Sequence, residues 1–292
     1  MKLYLIRFAA TELSNPPTMR IKITFRLSGK KQVLPLNYQY PVSAWIYKVL
    51  ARGDAELALM LHEEGYRLEN GKTFKLFTFS QLHFPARTFN IIPGTDRMEL
   101  WSRNAWIIIA FQLPKPAEKF VLGLFRDQQV ELGDRVSMVN MEVETVEMLA
   151  EPELTGQEVT IRSLSPVVLA ENKADTRHET YLSPLDPAYE RLFFGNLLDK
   201  HRLFSNTPDQ MERLWETGKL TFKCLTKQPR QKLQVIKAHT PEEVRVRGYL
   251  FEYALTAPAA LIQTGLNSGF GSMNALGFGC GEVVGGHTPN LT

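Results

Sequence analysis

A glycine-rich segment near the end of the chain most restricts what this sequence can fold into. Residues 265–284 carry glycines at positions 265, 269, 271, 277, 279 and 281, and two Gly-Phe-Gly units bracket residues 272–276. Glycine lacks a Cβ atom, so such a run can adopt positive φ and lets a ligand approach its amides. Two interpretations stay open from this pattern: a glycine-rich hairpin or bulge without a ligand, and a loop that binds phosphate.

Three familiar phosphate-binding loops do not match the segment. A P-loop needs Lys and then Ser or Thr after its last glycine, and a dinucleotide fingerprint lies between a strand and a helix. Here the glycines follow a helix-like apolar stretch, residues 257–266, and precede a strand-like stretch, residues 277–284. A kinase glycine loop is excluded because no HRD or DFG motif follows it.

Composition is that of a soluble globular protein. The 292 residues suffice for two domains with a core each. Cys224 and Cys280 form no CxxC pair or Cys/His cluster, which argues against disulfides or a zinc site and favours a reducing cytoplasm. No apolar run has the length of a membrane span. Arg7 interrupts the apolar start of the chain, so we predict no targeting segment, and residues 1–18 are interpreted as an upstream extension.

The distribution of charge along the chain is more informative about binding surfaces than the net charge of +3. Basic residues dominate between positions 213 and 237, where Glu216 is the one acid, whereas residues 142–158 contain six glutamates and no base. A basic segment neutralises phosphates and releases counterions, so the first stretch is a candidate nucleic-acid-binding face. A solvated charged hairpin explains it equally well.

Hydrophobic periodicity predicts the order of elements in the first half. Residues 20–27 alternate as a half-buried strand, and a helical stripe follows Pro41. A short helix over 54–63, strands over 74–82, 88–92 and 105–113, a helix over 116–127 and a strand over 136–149 come next. This order matches a ferredoxin-like βαββαβ unit.

The second half repeats that architecture after Glu151-Pro152. Its pattern predicts strands over 158–169, a helix over 187–201, strands over 220–226, 232–238 and 244–255, a helix over 257–266 and a last strand over 277–284. The predicted fold is therefore α+β, with tandem ferredoxin-like (RRM-like) domains at residues 19–150 and 151–292.

The histidines show no metal-binding pattern. None of the six has a partner at the i,i+4 spacing, and HExxH is absent, so we predict no metal site. His62 lies more than a right angle from the apolar stripe of its helix, and Tyr47 lies similarly on the preceding one. An exposed histidine and a partly buried packing tyrosine account for these positions without any chemistry.

A helix, a GFGSMNALGFG loop at residues 269–279 and a final strand resemble the signature of the CRISPR repeat-RNA processing endoribonucleases of the RAMP superfamily. Met273 departs from that family, in which a basic residue is common at this position. Residues 36–80, with NYQYPVSAWIYKVL, LHEEG and KLFTFS, are similar to the family's catalytic region. The resemblance implies a catalytic Tyr, His and Lys at Tyr47, His62 and Lys75, with Lys48 and Lys72 as neighbouring competitors.

The resemblance also implies a reaction that needs no metal or cofactor. The RNA 2′-hydroxyl attacks the adjacent phosphate and leaves 2′,3′-cyclic phosphate and 5′-hydroxyl ends. Tyr47 would orient or deprotonate the 2′-hydroxyl and His62 would protonate the departing oxygen, or these two roles are exchanged, while Lys75 stabilises the phosphorane.

The expected partner is CRISPR repeat RNA and its product, the crRNA. Other CRISPR-associated proteins of an effector complex and a second copy of the chain are further candidate partners. The predicted RNA-binding residues are Gly269, Gly271, Ser272, Asn274, Gly277 and Gly279 in the loop, Lys223, Lys227, Arg230 and Lys232 in the basic segment, and Arg20 and Lys22 on the first strand. Two alternatives stay open, a noncatalytic RAMP-type crRNA-binding subunit and a metal-dependent nuclease.

Overall fold

A computed structural model describes residues 19–284 except residues 30, 155–157, 172–179, 207 and 239. The predicted extension at residues 1–18 and three of the histidines, His178, His239 and His287, lie outside the described residues. No helix within the described part is long and apolar enough to span a membrane.

The first half is built around a five-stranded antiparallel sheet with the order β5-β8-β1-β10-β9. Its elements are β1 (Met19–Leu27), β2 (Gln32–Pro35), α1 (Gln39–Gly53), α2 (Ala55–Glu63), β3 (Tyr66–Arg67), β4 (Thr73–Phe74), β5 (Phe77–Phe79), β6 (Phe89–Ile91), β7 (Arg97–Leu100), β8 (Asn104–Phe111), α3 (Pro114–Arg126), β9 (Gln129–Gly133) and β10 (Met138–Met148). Strands β5, β8, β1 and β10 with α1 and α3 form the ferredoxin-like unit, and β9 extends its edge. The remaining short strands form two small separate sheets.

Alternation along β1 decides which face of this sheet is covered. Ile21, Ile23 and Phe25 are buried in the core that α1 and α3 complete. Trp45 of α1 makes edge contacts with both Phe25 and Phe120, the latter on α3. Stripe residues of both helices therefore point at one face of the sheet, as their helical spacing predicts.

The second half has a four-stranded antiparallel sheet with the order β14-β17-β11-β18. Its elements are β11 (Glu158–Ser163), β12 (Ala170–Glu171), β13 (Thr180–Tyr181), α4 (Tyr189–Arg202), α5 (Pro208–Glu216), β14 (Thr221–Cys224), β15 (Arg230–Ile236), β16 (Val244–Leu250), β17 (Glu252–Thr256), α6 (Ala259–Ser268), a 3₁₀ turn (Asn274–Leu276) and β18 (Gly281–Val284). With α4 and α6 the four strands form a second ferredoxin-like unit, so the tandem ferredoxin-like prediction is confirmed.

Three predicted strands were wrong in detail. The run over 74–82 is interrupted at Leu76, whose φ of 55° cannot continue a strand. The run over 244–255 breaks near Phe251 into β16 and β17, which belong to different sheets, because β15 and β16 form a hairpin of their own. The last strand begins at Gly281 rather than at residue 277, since the preceding residues complete the glycine-rich loop.

Polar contacts join the two halves near the glycine-rich loop. The Ser43 hydroxyl of α1 donates to the Ala275 carbonyl at 2.6 Å, and the Thr78 hydroxyl of β5 donates to the Phe278 carbonyl at 3.0 Å. Both bonds are buried. The loop is thereby held against the first half of the chain, where the predicted catalytic residues lie.

Candidate active site and RNA-binding surface

A cleft of about 1020 Å³ lies between the two halves. One wall comes from α1, α2 and the segment around β4, and it includes Tyr47, His62 and Lys75. The other comes from α4 and from residues 272–276 of the glycine-rich loop. The structure thus brings the three predicted catalytic residues and the middle of the loop to one site.

Tyr47 and His62 face each other across the contact between α1 and α2. Their ring centroids are 5.0 Å apart and their planes are almost perpendicular, at 85°. The Tyr47 ring also packs edge-on against Phe77 of β5. Burial raises the pKa of the Tyr47 hydroxyl, so this group stays protonated and can act as a donor at neutral pH.

His62 is the exposed member of this pair. Its side chain is 62% exposed, as the helical spacing predicted, and its Nδ1 lies 2.8 Å from Glu63 Oε1. A carboxylate at this distance orients the imidazole and selects the proton position on its ring. The opposite nitrogen, Nε2, is then the atom available for proton exchange with a bound substrate.

Lys75 reaches the same wall from the segment between β4 and β5. Its Nζ donates to the His62 carbonyl at 2.8 Å. Burial lowers the pKa of the Lys75 ammonium, while Glu63 and Glu64 oppose that shift. A side chain at Gly65 would crowd this lysine, because a Cβ there would lie 2.9 Å from Lys75 Cδ. Gly65, with φ of +71°, therefore leaves room for the ammonium beside His62.

The glycines of the loop are explained by close packing. A Cβ at Gly279 would lie 1.9 Å from the Phe270 carbonyl oxygen, one at Gly271 2.4 Å from the Val168 carbonyl oxygen, and one at Gly277 2.6 Å from Phe79 of the first half. Several loop amides also donate to main-chain oxygens, among them Phe270 to Gly279. The four predicted glycine contacts with RNA, at Gly269, Gly271, Gly277 and Gly279, thus fall on buried residues.

The part of the loop that lines the cleft is residues 272–276. Ser272 is half-buried there, and its amide donates to the Val168 carbonyl. Met273 has a left-handed conformation, with φ of 59°. The Asn274 amide donates to the carbonyls of Phe270 and Phe278, so this side chain braces the loop. Contact of Ser272 and Asn274 with RNA stays a prediction.

Lys200, a buried lysine that the sequence did not predict to be functional, supports the glycine-rich loop. Lys200 Nζ donates to the carbonyls of Gly269 and Gly271, both at 2.6 Å, and to Asn274 Oδ1 at 2.7 Å. Burial lowers the pKa of Lys200 strongly, whereas three acceptors favour the ammonium with its three donors. Its helical phase with the buried Phe193 and Leu197 was the signal that this lysine faces the core.

The neighbouring Asp199 also went unpredicted. Its carboxylate is buried and accepts from Lys72 Nζ of the first half at 2.5 Å and from Arg202 at 3.0 Å. Lys72, a competitor of Lys75 from the sequence, is thus engaged in an ion pair across the cleft. Lys48, the other competitor, is exposed and borders a smaller pocket on the far side of α1.

Arg20 and Lys22 of β1 have protein partners. The Arg20 guanidinium donates to the carbonyls of Leu266 at 2.9 Å and Gly281 at 2.6 Å, which ties β1 to the second half. Lys22 Nζ lies 5.5 Å from the centroid of the Trp106 ring. Neither residue lines the cleft.

The predicted basic residues of the second half lie on β14, on β15 and on the loop between them. Lys223, Lys227 and Arg230 are exposed. Lys232 is half-buried, and burial, with a smaller effect of Arg230, lowers its pKa. They lie outside the cleft, so an RNA would have to extend beyond it to reach them. Strand β16, which pairs with β15, carries exposed Arg245 and Arg247, and the sequence did not predict these two as RNA-binding residues.

Comparison with known proteins agrees with this architecture. The family model described as "CRISPR-associated protein Cas6, N-terminal" matches residues 33–144, and "CRISPR associated protein Cas6, C-terminal" matches residues 149–283. A curated relative from Methanocaldococcus jannaschii, CRISPR-associated endoribonuclease Cas6 1, is 25% identical over 264 residues, which cover 90% of this chain and 91% of that protein. The CRISPR-associated endoribonuclease Cas6 of Pyrococcus furiosus is 24% identical over 263 residues, with 87% and 85% coverage.

Solved structures share the fold. A structure described as a Cas6-related gene from Pyrococcus furiosus superposes with a TM-score of 0.72 at 19% identity, covering 92% of this chain and 99% of that one. Two ferredoxin-like units that hold a glycine-rich loop against a shared cleft define a tandem ferredoxin-like class of protein. Within that class, the chain belongs to the Cas6 family of CRISPR-associated proteins.

Proposed function

We propose that the chain is an endoribonuclease that cuts CRISPR repeat transcripts into guide RNAs. The observation that carries this proposal is the meeting of Tyr47, His62 and Lys75 on one wall of the cleft, opposite residues 272–276 of the loop. These three side chains come from separate elements, and an RNA in the cleft would touch all of them. Curated relatives over most of the chain are named endoribonucleases, which supports the same activity.

The proposed reaction is an internal transesterification of RNA. The 2′-oxygen forms a bond to the adjacent phosphorus and the bond from phosphorus to the 5′-oxygen breaks. The products are a 2′,3′-cyclic phosphate and a 5′-hydroxyl. One proton leaves the 2′-hydroxyl and one reaches the departing oxygen, so the reaction needs a proton acceptor and a proton donor but no external nucleophile.

The two proton transfers are assigned from the environments of Tyr47 and His62. Burial raises the pKa of Tyr47, so its hydroxyl stays protonated at neutral pH and is assigned as the donor to the departing 5′-oxygen. The exposed His62 then accepts the 2′-hydroxyl proton. Lys75 Nζ, beside the His62 carbonyl, stabilises the negative charge that grows on the phosphorane.

A cleavage assay with repeat RNA tests the proposal. The RNA is transcribed from a CRISPR repeat of the host, labelled at its 5′ end and incubated with the protein in EDTA. We expect a single cut, a cyclic phosphate on the upstream product, and no cut when the nucleotide before the cleaved bond is 2′-deoxy. His62→Ala should abolish cleavage while the RNA still binds.

Two outcomes would replace this proposal with another function. Tight binding of the RNA without any cleavage would indicate a noncatalytic RNA-binding subunit. Cleavage that EDTA abolishes and added Mg²⁺ restores would indicate a metal-dependent nuclease.

Light scattering of the same samples measures whether the chain forms a dimer. A pull-down with the other CRISPR-associated proteins of the host tests for an effector complex.

A further inference from the structure

Three of the four glycines within the described helices have a steric reason to lack a side chain. A Cβ at Gly53 of α1 would lie 2.0 Å from the Lys119 carbonyl oxygen, and one at Gly123 of α3 would lie 1.9 Å from the Val49 carbonyl oxygen. These two let α1 and α3 pack closely. A Cβ at Gly265 of α6 would lie 2.0 Å from the Phe270 ring. Packing therefore explains each of the three.

Gly195 of α4 has no such reason. A Cβ there would meet no described atom within 4 Å, and its backbone is helical rather than left-handed. Glycine is, after proline, the least favourable residue in a helix interior. The helix therefore carries an unfavourable residue that neither packing nor backbone conformation requires.

The open space beside Gly195 is the cleft. Gly195 lines it together with Arg191, one turn earlier on α4, and the adjacent Asn196. Asn196 Oδ1 is shielded from solvent and accepts no hydrogen bond from the residues that the structure describes. Arg191 is 62% exposed and pairs with Glu171 at 2.8 Å. This face of α4 thus offers a stretch of bare backbone and a cation, with an unpartnered acceptor just beneath its surface.

We propose that Gly195 is the point at which an unpaired nucleotide of the RNA, next to the cleaved bond, lies against α4. Without a side chain at this position a ribose or a base can contact the helix backbone directly. The Asn196 side chain turns toward the cleft so that its Oδ1, shielded in the free chain, accepts a hydrogen bond from that nucleotide, and Arg191 contacts a flanking phosphate. The inference rests on the proposed endoribonuclease function, because it needs RNA in the cleft.

Substitution of Gly195 separates stability from RNA binding. Gly195→Ala improves helix propensity, so we expect the Tm to rise by about 2–4 °C. The added methyl group occupies the proposed nucleotide site, so the Kd for a repeat RNA made uncleavable by a 2′-deoxy nucleotide should rise about tenfold, the cost of roughly one lost contact. Gly195→Leu should weaken binding further. Gln210→Leu adds the same side chain at an exposed position of α5 outside the cleft and serves as the matched control.

A raised Tm together with a raised Kd for the Gly195→Ala variant would support the proposal. A Gly195→Ala variant with a raised Tm and a Kd within twofold of the unmodified chain would overturn it, since the site would then be empty in the complex. A lowered Tm would also overturn it, because the glycine would have a structural purpose. If the unmodified chain binds and cleaves repeat RNA while Gly195→Leu does both equally well, the nucleotide site is wrong and the proposed function stands. Failure of the unmodified chain to bind repeat RNA would instead remove the proposed function itself.

Discussion

Replacement of Lys200 by methionine tests whether this buried side chain shapes the cleft. Methionine has a similar length but donates no hydrogen bond, so the carbonyls of Gly269 and Gly271 and the Oδ1 of Asn274 each lose a partner. A buried acceptor without its partner costs about 1–3 kcal/mol. Removal of a buried ammonium also removes the cost of burying a charge. We therefore take the lower end of that range, about 1 kcal/mol, for each of the three acceptors. The expected total loss of stability is about 3 kcal/mol.

Thermal unfolding and cleavage kinetics measure the two consequences of this change. A loss of about 3 kcal/mol lowers the Tm by roughly 6–12 °C for a chain of this size. Lys200 does not touch the reacting atoms, so its loss should act through the position of residues 272–276. We expect KM for the repeat RNA to rise more than kcat falls. Lys219→Met, at an exposed position of the same half, should leave both quantities unchanged. An unaltered Tm for Lys200→Met would refute the role of this lysine as the support of the loop.

Three further predictions concern individual side chains. Tyr47→Phe should keep the Tm but slow cleavage about 10²-fold or more, because it removes only the proton donor; a rate within threefold of the unmodified chain would contradict that role. Because burial lowers the pKa of Lys75, this residue loses its charge as pH rises through a value below that of ordinary lysine, so cleavage should decline at alkaline pH. Lys75→Arg keeps its charge and should move that decline to higher pH, and an unmoved profile would exclude Lys75 as its source. Arg20→Met removes the donor to two carbonyl oxygens, so the variant should lose about 2 kcal/mol of stability, while the salt dependence of RNA binding stays unchanged. A shallower salt dependence at constant Tm would indicate that Arg20 contacts a phosphate instead.

The elements that the sequence predicted well have locally consistent patterns. Strand β1 alternates apolar and polar residues, and helices α1 and α3 carry apolar stripes at helical spacing. Each pattern indicates which face of the element is buried. The two halves each carry such elements in the order βαββαβ, and this order is compatible with very few topologies. The exposure of His62 followed from the same reasoning about helix phase.

The elements that were predicted wrongly depend on residues distant in the sequence. The apolar run over 244–255 has the composition of one strand, but its first part pairs with β15 and its last part with β11 and β14. Local strand propensity does not determine which neighbour each part pairs with, because pairing depends on which strand edges are available in the folded chain. The short helix α5 went unpredicted for a related reason, since Met211 is its one buried residue.

By itself the sequence determined the class of fold, the family resemblance and the residue types available for chemistry. Repeated apolar patterns and a segment as unusual as GFGSMNALGFG are readable without coordinates. Only the tertiary structure decided what the glycines do: their missing side chains let the loop pack against Phe270, Val168 and Phe79, from both halves of the chain. It also decided that Lys200 supports the loop and that Gly195 opens onto the cleft. The first is a close contact and the second a gap between elements that are far apart in the sequence. No local pattern encodes the distance between two such elements.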